Sequence, residues 1–201
     1  MQNTLNWTIQ MKKVANKMRY ATGLIRRLSW HFPNSLLKQI VFGLVISSLR
    51  YGLSVYGPVR MNDTEAKNSQ CSHLQKILNE NMRILARKKL SDRVSIENLI
   101  SLTNLPSVNR LSIADKLMEV WKSFNISGYP SSNIFTKIEK PPHLMLRSNT
   151  RGDMLIPFGS KNDLVKVCTR LWNDAPLEIR QATSHNIAKN RILKYVRKFP
   201  I

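Results

Sequence analysis

The chain has no acidic residue before Asp63. Nine basic ones precede it: Lys12, Lys13, Lys17, Arg19, Arg26, Arg27, Lys38, Arg50 and Arg60. A domain normally mixes its charges, because a single-sign field repels itself. This absence points to a polyanionic partner, with phosphate-rich nucleic acid as the first candidate. The whole chain carries 32 Lys and Arg against 12 Asp and Glu, a net charge of +20 and a pI near 10.5. Residues 63–127 are nearly balanced, with ten basic and seven acidic side chains. Residues 128–201 return to excess, with thirteen against five.

Cysteine is scarce. Cys71 and Cys168 cannot build a disulfide framework, which fits a reducing compartment. The N-terminus shows no signal-peptide pattern, so the expectation is an intracellular protein, nuclear or cytoplasmic, and not a secreted one. A mitochondrial presequence is the competing reading of residues 1–30, which are basic, acid-free and amphipathic. That stretch leans on Lys and Trp, however, where presequences are rich in Arg and Ser. Long apolar runs are missing too. The uncharged run Gln39–Leu49 is 11 residues, and a membrane span needs about 20. No membrane partner is expected.

Catalytic constellations are equally hard to find. Two aspartates are nowhere adjacent. Asp115 and Glu119 share a helix face, but Lys116 and Lys122 surround them, which favours a solvated face over a metal site. Cys71 and His73 lack the second pair that zinc requires. His31, His143 and His185 stand alone, and so do Gly23, Gly43 and Gly52, which rules out a glycine-rich phosphate loop. No catalytic residue, metal ligand or cofactor site is expected in this chain.

What the chain does have is helical periodicity. At 201 residues with 42% hydrophobic side chains it can bury a real core. Trp7, Met11, Val14, Met18, Ala21, Ile25 and Leu28 form one apolar stripe, which predicts an amphipathic helix over 7–28. Lys12, Arg19 and Arg26 lie on one outward line of it, and Lys13, Tyr20 and Arg27 on another. Residues 34–56 predict a second helix, apolar around its circumference and therefore buried on all sides, ended by Gly52, Gly57 and Pro58. Asn62 and Glu65 read as a capping box for a third helix reaching about Lys89. Leu74, Ile77, Leu78 and Leu85 are its inner face, and Arg83, Arg87, Lys88 and Lys89 crowd its end, where cations suit the helix dipole. A short helix near 95–102 follows. Then comes a helix capped by Ser107, with Leu111, Ala114, Leu117, Met118, Trp121 and Phe124 facing in.

Residues 127–160, rich in Pro and Gly, read as an irregular connector with a short strand at Met154–Ile156. Helix returns over 161–172. Asn173 or Asp174 is expected to cap a short turn that has Pro176 early in it, and a final helix covers about 185–198. The fold class is mainly α. The expected parts are a helical thumb-like domain over 1–126, the connector, and a small helical region over 161–201.

Two segments carry a resemblance to a known family. The N-terminal segment, with Leu5, Trp7, Lys17, Leu28, Pro33, Leu49, Tyr51, Gly52 and Gly57, resembles the stretch that follows the palm in LINE-type (non-LTR) retrotransposon reverse transcriptases. Tyr56 stands where that family usually has Trp. Leu74, Gln75 and Arg83 resemble its Leu-Gln…Arg helix, and Pro106 with Arg110 its Pro-x-x-x-Arg element. The second segment, with Leu171, Trp172, Asn173, Pro176, Ile179 and Arg180, is similar to the C-terminal signature of the jockey-like clades. Ala175 replaces its usual Leu, and Ile187 stands where Phe is common. Leu146, Arg147 and Pro157 fit the connector before that signature.

The resemblance implies a helical thumb and the region beyond it. The palm carboxylates, which hold two magnesium ions in that family, are not in this sequence. A thumb grips a template–primer duplex through its backbone. The implied partners are RNA, RNA–DNA hybrid or DNA, together with the palm and fingers of the polymerase. The candidate nucleic-acid-binding residues are Lys12, Lys13, Lys17, Arg19, Arg26 and Arg27, with Arg83, Arg87, Lys88 and Lys89 second. The expected function is that of a non-catalytic fragment of an RNA-directed DNA polymerase. The alternatives are a basic helical protein-interaction module, or a retroelement remnant without activity of its own.

Overall fold

A computed structural model describes residues 7–57, 59, 69–135, 153–154, 156 and 163–201. Leu5, the Asn62–Glu65 capping box, Leu146, Arg147, Pro157 and most of the 127–160 connector lie outside these residues. The fold is mainly α, and the described residues form no strand, only an isolated bridge at Met154.

The chain divides into two compact units, one of residues 1–112 with 199–201 and one of residues 113–198. The sequence placed its boundary near 126, at the end of a helix. The division instead falls inside that helix, because its second half packs with the C-terminal helices.

In the first unit, α1 (Thr8–Leu28) matches the periodic stripe closely. Met11, Val14, Met18, Ala21 and Ile25 are buried, and α1 packs most extensively on α5 (Ser69–Leu85). Leu74, Ile77, Leu78, Met82 and Leu85 supply the facing surface. Each fully buried side chain of this kind contributes about 1.5–3 kcal/mol.

The second predicted helix is less regular than expected. Helix α2 (Asn34–Val41) passes through a π-helical turn, Phe42–Ile46, into α3 (Ser47–Arg50). Leu37, Val41, Val45 and Leu49 are all buried and recur every four residues. In an ideal α-helix that spacing would carry the apolar face round by about 40° per step. The wider π turn unwinds the drift and keeps the four side chains facing inward. The Ser47 hydroxyl donates to the Gly43 carbonyl beside it.

The helix ends at Arg50 because Gly52 takes a left-handed conformation (φ 72°), open to glycine at little cost. One further turn, α4 (Leu53–Tyr56), follows. The Tyr56 hydroxyl donates to the Leu49 carbonyl at 2.9 Å, satisfying one of the acceptors a helix end leaves open. The expectation that this segment is buried all round is corrected. Leu36, Phe42, Leu44 and Val55 are exposed. The segment packs through one stripe, so apolar side chains beside that stripe stay uncovered.

Two short caps complete this unit. The Ser95 hydroxyl accepts from the Asn98 amide to start α6 (Ile96–Thr103). Asn104, in the left-handed region (φ 55°), ends it. Helix α7 (Val108–Asn125) then runs from the first unit into the second. Ser107 caps it as expected, accepting from the Arg110 amide at 3.3 Å.

In the second unit, α8 (Leu164–Asp174), α9 (Leu177–Arg180) and α10 (His185–Tyr195) gather around the later part of α7. Trp121 Nε1 donates to the Ala182 carbonyl at 3.1 Å, and Phe124 lies against Trp172 with ring centroids 5.7 Å apart. Asp163 caps α8 and Ser184 caps α10. The start of α9 differs from expectation. Pro176 is its cap residue, and neither Asn173 nor Asp174 caps it, because Asn173 is engaged elsewhere.

The solvated acid–lysine face expected at 115–122 is also corrected. Lys116 is only 3% exposed, and Glu119 is half-buried, accepting from the Tyr129 hydroxyl at 2.8 Å and from Ser131 at 3.4 Å. The chain after Asn125 turns back over this face. Partial burial, then the hydrogen bond to Glu119 and its charge, hold the Tyr129 phenol up to about 12.

Candidate nucleic-acid interface

Helix α1 presents its cations as two lines, and the fold treats them differently. The line Lys12, Arg19, Arg26 runs beside α5. Arg26 pairs with Glu80, and the Arg19 guanidinium meets His73 Nε2 at 2.6 Å. A guanidinium can only donate, so this His73 nitrogen accepts. Arg19 also donates to Asn16 Oδ1 at 3.1 Å. Two of the three cations on this line therefore have protein partners. Lys12 is exposed beside them, and its side chain makes no hydrogen bond or ion pair with any described residue.

The second line is open. Lys13, Lys17, Tyr20 and Arg27 are all exposed, and none of their side chains has a hydrogen-bond or ion-pair partner among the described residues. At 100° per residue these four fall within one narrow sector of the helix. Tyr20 is 83% exposed.

The second group of candidates, at the end of α5, is chiefly structural. Arg83 is half-buried and donates to the Lys89 carbonyl at 3.3 Å and the Val94 carbonyl at 3.1 Å. It thereby fastens the turn after α5. Arg87 sits in the left-handed region (φ 51°), and its Nε donates to Asn34 Oδ1 at 3.1 Å. Lys89 is held by its backbone amide, which donates to Asp92. Lys88 is left exposed among them.

A residue absent from the sequence-derived set borders the open line. Tyr51, at the end of α3, is 75% exposed and lines a cleft with Lys13 and Lys17. Nothing in the local sequence pairs Tyr51 with α1. Tyr20 had a local signal, its seven-residue offset from both Lys13 and Arg27.

Most residues that carry the family resemblance hold the fold together. Gln75 Oε1 accepts from the Val108 amide at 2.8 Å, at the start of α7. Arg110 Nε donates to the Phe199 carbonyl at 3.0 Å. Asn173 bridges both backbone groups of Met154, at 2.8 and 3.0 Å. Arg180 pairs with Asp153 and donates to the carbonyls of Asn173 and Ala175. The C-terminal signature is thus a latch that ties 153–154 to the α8–α9 corner.

Among the described residues no three His, Cys, Asp or Glu side chains gather, and no helix is long and apolar enough to cross a membrane. No family model matches the chain, and neither a curated protein nor a solved structure shows significant similarity to it.

Proposed function

We propose that this chain is a non-catalytic, thumb-like part of a LINE-type RNA-directed DNA polymerase, binding template–primer nucleic acid through phosphate contacts. The observation that carries the reading is the line Lys13, Lys17, Arg27 on α1. It offers three exposed cations without a described partner, in a segment that has no acidic residue before Asp63. Cations spaced along a rigid helix suit backbone contact, which positions a duplex without reading its bases. The ordered family motifs support the assignment to that polymerase class. Magnesium would belong to the palm of the complete enzyme, and this chain contributes grip alone. An intracellular location, nuclear or cytoplasmic, follows from the same reading.

Salt titration of RNA–DNA hybrid binding tests it. With Lys12 added, four phosphate contacts give a log–log slope of about −3.6. Replacing Lys13, Lys17 and Arg27 together by Gln should flatten that slope and weaken all sequences alike. A flat slope in the parent chain refutes the proposal.

A second reading, a helical protein-interaction module, is supported by a separate observation. Leu36, Phe42, Leu44 and Val55 leave apolar surface exposed on the α2–α4 segment, of the kind protein partners cover. It is distinguished by a defined protein complex in the absence of any affinity for hybrid.

A further inference from the structure

We propose that the cleft beside α1 and the end of α3 holds one unpaired nucleotide of a nucleic-acid strand, with its base on Tyr51 and its phosphate on Lys13 and Lys17. The assignment rests on the nucleic-acid reading above and narrows it.

The cleft has a volume of about 410 Å³ and is lined by Gln10, Lys13, Val14, Lys17, Ser48 and Tyr51, among others. That falls within the range of about 300–1,000 Å³ typical of small-ligand sites. Lys13 and Lys17 are one helical turn apart, so their stems rise from the same face about 6 Å apart along the axis. Among the described residues no carboxylate borders the cleft. The ligand is therefore an anion and not a metal ion or an amine.

Tyr51 adds a requirement that an inorganic anion does not meet. Tyr51 is 75% exposed where it lines the cleft. The backbone fixes it there, since α3 stops at Arg50 and Gly52 reverses the chain in the left-handed region. An exposed aromatic ring beside two ammonium groups is the arrangement that single-strand binders use to stack a base and hold its phosphate. The buried Val14 gives the cleft an apolar floor, and the Gln10 amide and Ser48 hydroxyl offer donors and acceptors to a base edge. An extruded base presents a free face for Tyr51 to stack on, which a base inside a duplex does not. From there a strand can follow α1 toward Tyr20, about 10 Å further along the axis.

The test uses the full chain and measures affinity for a short single strand and for a blunt RNA–DNA hybrid. Tyr51→Ala should weaken the single strand by about 5- to 100-fold, the usual effect of removing a stacking ring. Hybrid affinity should stay within about two-fold, as should the single-strand affinity of Tyr51→Phe. Because the ring is exposed, thermal unfolding of both variants should match the parent chain. An equal loss on both ligands, or an unchanged single-strand affinity, overturns the proposal while leaving salt-dependent hybrid binding intact. If the parent chain binds neither ligand, the nucleic-acid reading falls and takes this one with it. Displacement of the strand by micromolar free adenosine monophosphate would overturn the strand assignment in favour of a free nucleotide.

Discussion

The Asn81 side-chain amide donates to the Thr22 hydroxyl at 2.8 Å across the interface of α1 and α5, with both residues buried. The same amide nitrogen donates to the Ile77 carbonyl, and the Thr22 hydroxyl donates to the Met18 carbonyl. Asn81 Oδ1 alone has no hydrogen-bond partner. The contact joins residues 59 apart in sequence, and it sets the register in which α5 lies along α1. That register decides which α1 cations have neighbours.

Thr22→Val should cost about 1–2 kcal/mol, because it leaves a buried amide proton unmet. The double variant Thr22→Val with Asn81→Leu should recover most of that loss, since no buried polar group then remains at the contact. Urea unfolding of the parent, the two single variants and the double gives the coupling. Simple additivity of the two single losses would contradict this account.

Glu80→Gln should raise affinity for nucleic acid. Arg26 pairs with Glu80 at an exposed site, with side chains 62% and 44% exposed. Such a pair contributes no more than about 1 kcal/mol to stability, so the fold should hardly change. Removing the carboxylate releases Arg26 to phosphate and steepens the salt slope by about one. An unchanged slope would mean that Arg26 stays out of the interface.

Two glycines should respond in opposite directions. A Cβ on Gly57 would collide with the Leu53 carbonyl and sit 2.5 Å from Ser112 Oγ, so Gly57→Ala should destabilise by about 2–4 kcal/mol. Gly23 lies within α1 with open space where a Cβ would go. Gly23→Ala should therefore stabilise by about 0.5–1 kcal/mol through helix propensity alone. Thermal melts of the two variants, run side by side, check both signs.

Cys168 should make stability fall at high pH. Burial first, and then the charges of Glu119 and Asp163, push its thiol from 9.0 up to about 11, against an opposing effect of Lys116. Between those values the unfolded chain ionises the thiol and the folded chain does not, so the unfolded state binds fewer protons and stability drops as pH rises. The loss amounts to about 2–3 kcal/mol across the window and is absent below it. Comparing the pH dependence of urea midpoints in the parent chain and in Cys168→Ala isolates the effect. Near neutral pH, iodoacetamide should modify the half-buried Cys71 well before Cys168.

Local pattern alone made much of the helical frame legible. The apolar stripe of 7–28 marks α1 almost to the residue, and the cap at Ser107 coincides with a helix start. The second helix was legible only in outline. Its four-residue repeat of Leu37, Val41, Val45 and Leu49 is compatible with burial on every side, and only packing shows that one face is used and that a π turn keeps it aligned. The candidate site was legible to the same degree.

The sequence by itself determined that one third of this protein is a single-sign, amphipathic helical segment, because charge and periodicity are properties of neighbouring residues. Tertiary structure decided which of those charges stay open. Glu80 and His73 come from a helix more than fifty residues away to meet Arg26 and Arg19, and Tyr51 arrives from the end of α3 to stand beside Lys13 and Lys17. Such meetings depend on how helices dock, and no local pattern encodes the register between two surfaces that touch only when both are folded.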